Sequence, residues 1–197
     1  MSLPSYDRNN RVQQFEILPK GAYVIAIKNA RIDANKSGSG SHITIAFDIA
    51  EGEYKDIYMK RYKANTDENA KWPQDGMFYV TIPEDGSQDF IWKNYNSFFA
   101  DLEDSNQGYV FNPNDISTIK GKLLGGKFHI EQNEYNGKIY DHTRLKWTCV
   151  ADDVRNGKAG RLPQDSLISQ SQSQNQGDPS DYMDLNSSIS DDEIPFA

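Results

Sequence analysis

The amino-acid sequence predicts an all-β domain with one helix: a five-stranded Greek-key barrel in which the helix lies between the third and fourth strands. Three observations carry this reading. Several short runs alternate apolar and polar residues, the period of a half-buried strand. A single stretch repeats apolar residues at helical spacing. The dipeptide Asn136-Gly137 separates two alternating runs, the arrangement of a two-residue type I′ hairpin.

Residues 1–18 are polar until Phe15, Ile17 and Leu18, and read as an arm whose end packs on the domain. Pro19-Lys20-Gly21 marks a turn. Residues 23–31 form the predicted first strand, with Tyr23, Ile25 and Ile27 on one face. Asp33 to Ser41 is a Gly/Ser loop, flexible and small enough to admit a ligand. Residues 42–49 alternate again, with Ile43, Ile45, Phe47 and Ile49 facing inward. After a turn at Gly52, residues 54–63 read as the third strand, with Ile57 and Met59 inward and Tyr58, Lys60 and Tyr62 outward. Residues 64–76 are a polar loop containing Trp72-Pro73, and residues 77–82 a short extra strand. Ser87 reads as a helix N-cap, with Asp89 in the first turn where the helix dipole favours it. Ile91, Tyr95, Phe98 and Leu102 then mark a helix over residues 88–104, and Trp92 and Phe99 widen its stripe, placing both in the expected core. In the next strand, residues 123–132, Gly125-Gly126 predicts a bulge or sharp barrel bend. The returning strand, residues 138–150, is expected to turn Leu145, Trp147 and Cys149 inward and Tyr140, His142, Arg144 and Lys146 outward. Three strands, a helix and two strands is the order of the OB-fold. Such a barrel binds oligonucleotides across its second and third strands, between loops that correspond here to Asp33–Ser41 and Glu134–Lys138.

Charge is segregated along the chain. The net charge is -8, but residues 162–197 hold seven acids and no Lys or Arg, leaving 22 acids and 21 bases in residues 1–161. A nearly neutral body can still present a basic face. The one cysteine, Cys149, excludes an internal disulfide, fits a reducing compartment and reads as a buried structural thiol. The polar start is not that of a signal peptide, and no apolar run reaches the ~20 residues that span a bilayer. A soluble cytoplasmic protein is expected.

The chain divides into an arm (1–18), a barrel domain (19–160), a linker (161–190) and a tip (191–197). The linker is rich in Ser, Gln, Asn and Asp, a composition that cannot bury enough apolar surface to offset chain entropy, and is read as disordered. The tip runs Asp191-Asp192-Glu193-Ile194-Pro195-Phe196-Ala197: three acids, then an apolar hook kept extended by its proline. That is the form of a peptide ligand, with charges that steer and an aromatic that anchors. It resembles the ends of bacterial and phage single-stranded DNA-binding proteins, which close in acids followed by Ile-Pro-Phe or Leu-Pro-Phe; here Ala197 follows the Phe. Barrel, linker and tip together resemble the phage-encoded members across the whole chain. The resemblance implies protection of single strands during replication, recombination or repair in the host cytoplasm. It also implies partner proteins held by Asp191, Asp192, Glu193, Ile194, Pro195 and Phe196, and a possible homo-oligomer.

The DNA-binding residues expected on the third strand and its following loop are Tyr54, Tyr58, Lys60, Arg61, Tyr62, Lys63, Lys71 and Trp72. The fifth strand adds Tyr140, His142, Arg144 and Lys146. Rings stack bases and interleaved cations track phosphates, at about 1–3 kcal/mol per stack. Catalytic machinery is not expected, nor any cofactor: His42, His129 and His142 lack metal-ligand spacing, and Gly38-Ser39-Gly40 is not followed by the Lys of a phosphate loop. Three alternatives share the sequence: a recombination accessory protein that anneals strands or loads a recombinase, a metal-dependent nuclease using Asp48, Glu53 and Lys55, and a pure protein-interaction barrel.

Overall fold

The computed structural model describes residues 16–168, apart from 37 and 39. Five strands form one antiparallel sheet: β1 (Ala22–Ala34), β2 (Ser41–Ile49), β3 (Met77–Ile82), β4 (Leu123–Tyr135) and β5 (Lys138–Cys149). Their spatial order is β3-β2-β1-β4-β5. Helix α1 (Ile57–Ala64) interrupts the path from β2 to β3, α2 (Asp89–Ser105) joins β3 to β4, and α3 (Ala151–Arg155) follows β5. The architecture is mostly β, as expected, with three α-helices rather than one among the described residues. No helix among those residues is long and apolar enough to cross a membrane.

Every residue of β2 from His42 to Ile49 is buried. Its inward side chains Ile43, Ile45, Phe47 and Ile49 meet Ile25 and Ile27 of β1, Leu124 and Phe128 of β4, and Phe98 and Leu102 of α2 in one core. Burying each such side chain is worth about 1.5–3 kcal/mol. Leu18 also reaches this core, and its carbonyl accepts the Thr143 hydroxyl, so the arm's end is fastened as expected. Cys149 is buried, and burial pushes its thiol above the usual range.

The expected third strand is wrong. Residues 57–64 form α1, and the short extra strand at 77–82 is the real β3, paired antiparallel with β2. The stretch carries both periods: Ile57 and Met59 alternate, but Tyr54, Ile57, Tyr58, Arg61 and Tyr62 also fall at helical spacing. A tertiary contact decides between them. Asp56, at the helix N-cap, is left-handed (φ 59°) and makes no side-chain cap. Asp48 of β2 supplies the cap instead, accepting the Tyr58 and Met59 N–H groups at 3.0 and 2.9 Å, and the Ile49 N–H at 2.8 Å. Burial pushes the Asp48 carboxyl upward, and these three backbone bonds oppose the shift.

Two turns follow their sequence signals. Asn136 and Gly137 both have positive φ (51° and 72°), closing the β4–β5 hairpin as type I′. Gly125 and Gly126 let the strands pack tightly, since a Cβ on Gly125 would sit 2.7 Å from Cys149 Sγ. The bulge lies just beyond them: Lys127 pairs with Trp147 but Phe128 with Leu145, leaving Lys146 as an extra residue in β5. The expected N-cap Ser87 is not one. Gln88 holds that position, and the Ser87 hydroxyl accepts the Glu84 N–H at 2.8 Å. Residues 161–168, read as the start of the linker, pack on the sheet. Ser166 bridges to Glu131 of β4 in parallel, and Asp165 pairs with Lys20 at 2.8 Å.

Asp48→Ala would strand three backbone donors in a dry site, at about 1–3 kcal/mol for each buried group left unmet. Chemical denaturation is expected to register that loss, with reduced helical circular dichroism from α1. An unchanged unfolding midpoint would mean that α1 does not depend on this cap.

Candidate nucleic-acid interface

The bulge at Lys146 determines which way β5 presents its largest side chain. Side chains alternate along a strand, and one extra residue breaks that alternation. Leu145, paired with Phe128, points into the core as expected; Trp147 and Cys149, paired with Lys127 and Gly125, share the other face, where Cys149 is buried and Trp147 is 47% exposed rather than in the core. Trp92 of α2, also expected inside, is exposed; Phe99 is buried as expected.

Trp147 lies on the wall of a cleft of about 1110 Å³ bounded by β3, α2 and the outward residues of β4 and β5. Lys71, Lys127, Arg144 and Lys146 line it, against two acids, Asp101 and Glu131, so its balance is positive. Exposed apolar rings stand among these charges: Trp147, Phe90 at the start of α2, and Tyr79 on β3. Of the expected DNA-binding residues, the structure brings Lys71, Trp72, Arg144 and Lys146 to this cleft.

The remaining expected residues sit elsewhere. Tyr58 is fully buried, edge-on to Phe47 at 5.7 Å; burial first, then the Asp75 charge, push its hydroxyl far above the usual tyrosine range. Trp72 is only 6% exposed, and its indole N–H donates to the Gly76 carbonyl at 3.1 Å. Tyr62 tilts against it, ring centres 5.7 Å apart. Tyr54 packs edge-on to Tyr23 at 5.9 Å. Lys60 and Lys63 are exposed on α1, with the Lys60 ammonium bonded to the Lys55 carbonyl at 2.9 Å. Tyr140 is exposed on the hairpin. Helix formation over residues 57–64 is the reason for this dispersal, because it scatters side chains that a strand would have aligned. The partner-binding residues Asp191, Asp192, Glu193, Ile194, Pro195 and Phe196 lie outside the described residues.

Arg61, His142 and Arg144 converge on a single carboxylate. Asp75, in the short turn Gln74–Gly76 before β3, lies 3.3 Å from an Arg61 guanidinium nitrogen, 3.3 Å from one of Arg144 and 3.4 Å from His142 Nδ1. Arg61 also bonds the Glu16 carbonyl. Two guanidiniums around one carboxylate leave excess positive charge at the cleft's rim, held in place rather than free to swing.

Asp48, Glu53 and Lys55 form no common centre. Asp48 is fully buried with its oxygens taken by backbone N–H groups, whereas Glu53 and Lys55 are exposed on the turn before α1. Among the described residues, no group of three His, Cys, Asp or Glu side chains is placed to hold a metal ion.

Sequence reasoning missed Trp147, Tyr79, Phe90 and Lys127. Lys127 and Tyr79 follow the ordinary strand alternation once the register is known. Trp147 carries no local signal, because the bulge that exposes it shows only in the pairing with β4. No protein-family model matches the chain, and no curated protein matches it.

The two tryptophans should part under mutation. Trp72→Ala is expected to cost about 3–5 kcal/mol, the loss of a large buried aromatic. Trp147→Ala should cost less than about 1 kcal/mol, as a surface change. Thermal unfolding of the two variants measures this, and a Trp147→Ala variant that unfolds as easily as Trp72→Ala would return Trp147 to the core.

Proposed function

We propose that the protein binds single-stranded DNA without catalysis, through an OB-type barrel, and recruits replication or recombination proteins through its acidic tip. The sheet order β3-β2-β1-β4-β5, with the long helix between β3 and β4, supports the barrel reading. The observation that carries the function is the cleft, where Lys127, Arg144 and Lys146 stand beside the exposed rings of Trp147, Phe90 and Tyr79. A single strand offers phosphates to the cations and unstacked bases to the rings, whereas a duplex hides its base faces. The resemblance of the tip to single-stranded DNA-binding proteins adds the recruiting role, in the cytoplasm of a bacterial or phage-infected cell.

A salt titration with single-stranded and duplex DNA tests the reading. The logarithmic slope for single strands should be about -0.7 per neutralised phosphate, hence roughly -3 if all four cleft cations engage. Lys146→Ala should make the slope shallower by about 0.7. Trp147→Ala should cost about 1–3 kcal/mol of affinity and leave the slope unchanged. Equal affinity for duplex, or binding indifferent to salt, would remove the cleft from the account.

The tip carries a separate prediction. Its three acids compete with DNA for the same cations, so removing residues 191–197 should leave folding untouched. Single-strand affinity should be equal or slightly higher, most visibly at low salt, where screening is weakest. Phe196→Ala should abolish recruitment while preserving DNA binding, since the ring anchors and the acids steer. Replication or recombination proteins captured equally by full-length, truncated and Phe196→Ala protein would rule out the recruiting role.

A further inference from the structure

Asp75 sits where α1, the turn before β3 and the edge strand β5 meet, and its two oxygens face different cations. Oδ2 lies 3.3 Å from Arg61 Nη1, whereas Oδ1 lies 3.3 Å from Arg144 Nη1 and 3.4 Å from His142 Nδ1. The guanidinium contacts are longer than the about 2.7–2.9 Å of a charge-assisted hydrogen bond, and each uses a single nitrogen. Beyond that the two arginines differ. Arg61 also bonds the Glu16 carbonyl, stands over the Tyr58 ring at 5.7 Å, and has its Nε sealed from solvent. Arg144 lines the cleft, and among the described residues its guanidinium has no hydrogen-bond or ion-pair partner but Asp75. Only 17% of its side chain is exposed, yet none of its nitrogens is sealed. A guanidinium in this state is an anchored cation with donors to spare.

We propose that Arg144 is the centre of a subsite for one backbone phosphate, and that Asp75 sets how tightly that phosphate is held. The inference rests on the single-strand reading and goes beyond it by assigning control of affinity to an acid. Asp75 does two opposed things at the subsite. It orients Arg144, and it offsets the charge that a phosphate would meet. Arg61 opposes the offset from the far side, through Oδ2, so Arg144 keeps part of its charge for the ligand. Orientation needs only an acceptor of the right shape, which an amide oxygen supplies, whereas the offset needs the negative charge. Replacing the carboxylate by an amide therefore separates the two, and binding should tighten.

The test is fluorescence anisotropy of the full chain with oligo-dT across a salt series, beside the unfolding midpoint of each variant. Asp75→Asn should bind about two- to fivefold more tightly at low salt, the range of a partly exposed charge pair. Its salt slope should steepen by up to about 0.7. The gain should vanish in the double variant Asp75→Asn, Arg144→Gln, because no guanidinium then meets the phosphate. Arg61→Gln should act in the opposite sense, with weaker binding and a shallower slope, although Arg61 does not line the cleft. Unchanged or weaker binding by folded Asp75→Asn overturns the inference, as does a gain that survives loss of Arg144. If Asp75→Asn does not fold, Arg61→Gln decides: weaker binding by folded protein supports the inference, and unchanged affinity and slope overturn it. Wild-type protein that ignores single strands removes the single-strand reading as well, whereas wild-type binding with no response at Asp75 removes the subsite alone.

Discussion

The carboxylate of Asp48 is the joint on which the outer face of the sheet depends. It projects from β2, which is buried along nearly its whole length, and holds the first N–H groups of α1 at 2.9 and 3.0 Å. The helix dipole and the orphan donors of its first turn make a buried anion favourable there. With α1 docked, Tyr58 enters the core and Arg61 reaches Asp75. Asp75 in turn gathers Arg144 and His142 of β5. One buried acid thus links the excursion between β2 and β3 to the cations at the edge of the cleft.

The second constraint is the Lys146 bulge. Tight packing at Gly125 and Gly126 holds β4 against the end of β5, with no room for a Cβ. The register slips one residue further along, and Trp147 leaves the core for the cleft wall. An exposed tryptophan beside Lys127 and Lys146 is hard to account for as packing alone. It brings an exposed aromatic face to the cleft beside the charges of Lys127 and Lys146.

Much of this was legible in the sequence. Alternation located β1, β2, β4 and β5, the apolar stripe located α2, and Asn136-Gly137 located the hairpin, because each depends on neighbours in the chain. The outward direction of Arg144 and Lys146 came from the same rule. Charge segregation and the acidic tip are likewise properties of residue order. None of these needs a distant contact.

Tertiary structure decided the rest. Residues 54–64 fit a strand and a helix equally, and the Asp48 carboxylate, brought close by folding, selected the helix. That choice buried Tyr58, turned Arg61 to Asp75, and passed the third-strand position to Met77–Ile82. Ser166 completes a bridge to β4 that composition assigned to a linker. Trp147 was placed by a bulge that exists only as a mismatch between two paired strands. The sequence by itself determined periodicity, turn chemistry and charge distribution. Which side chains meet, and on which side of the sheet, was decided by contacts between residues far apart in the chain, whose energies local pattern does not contain.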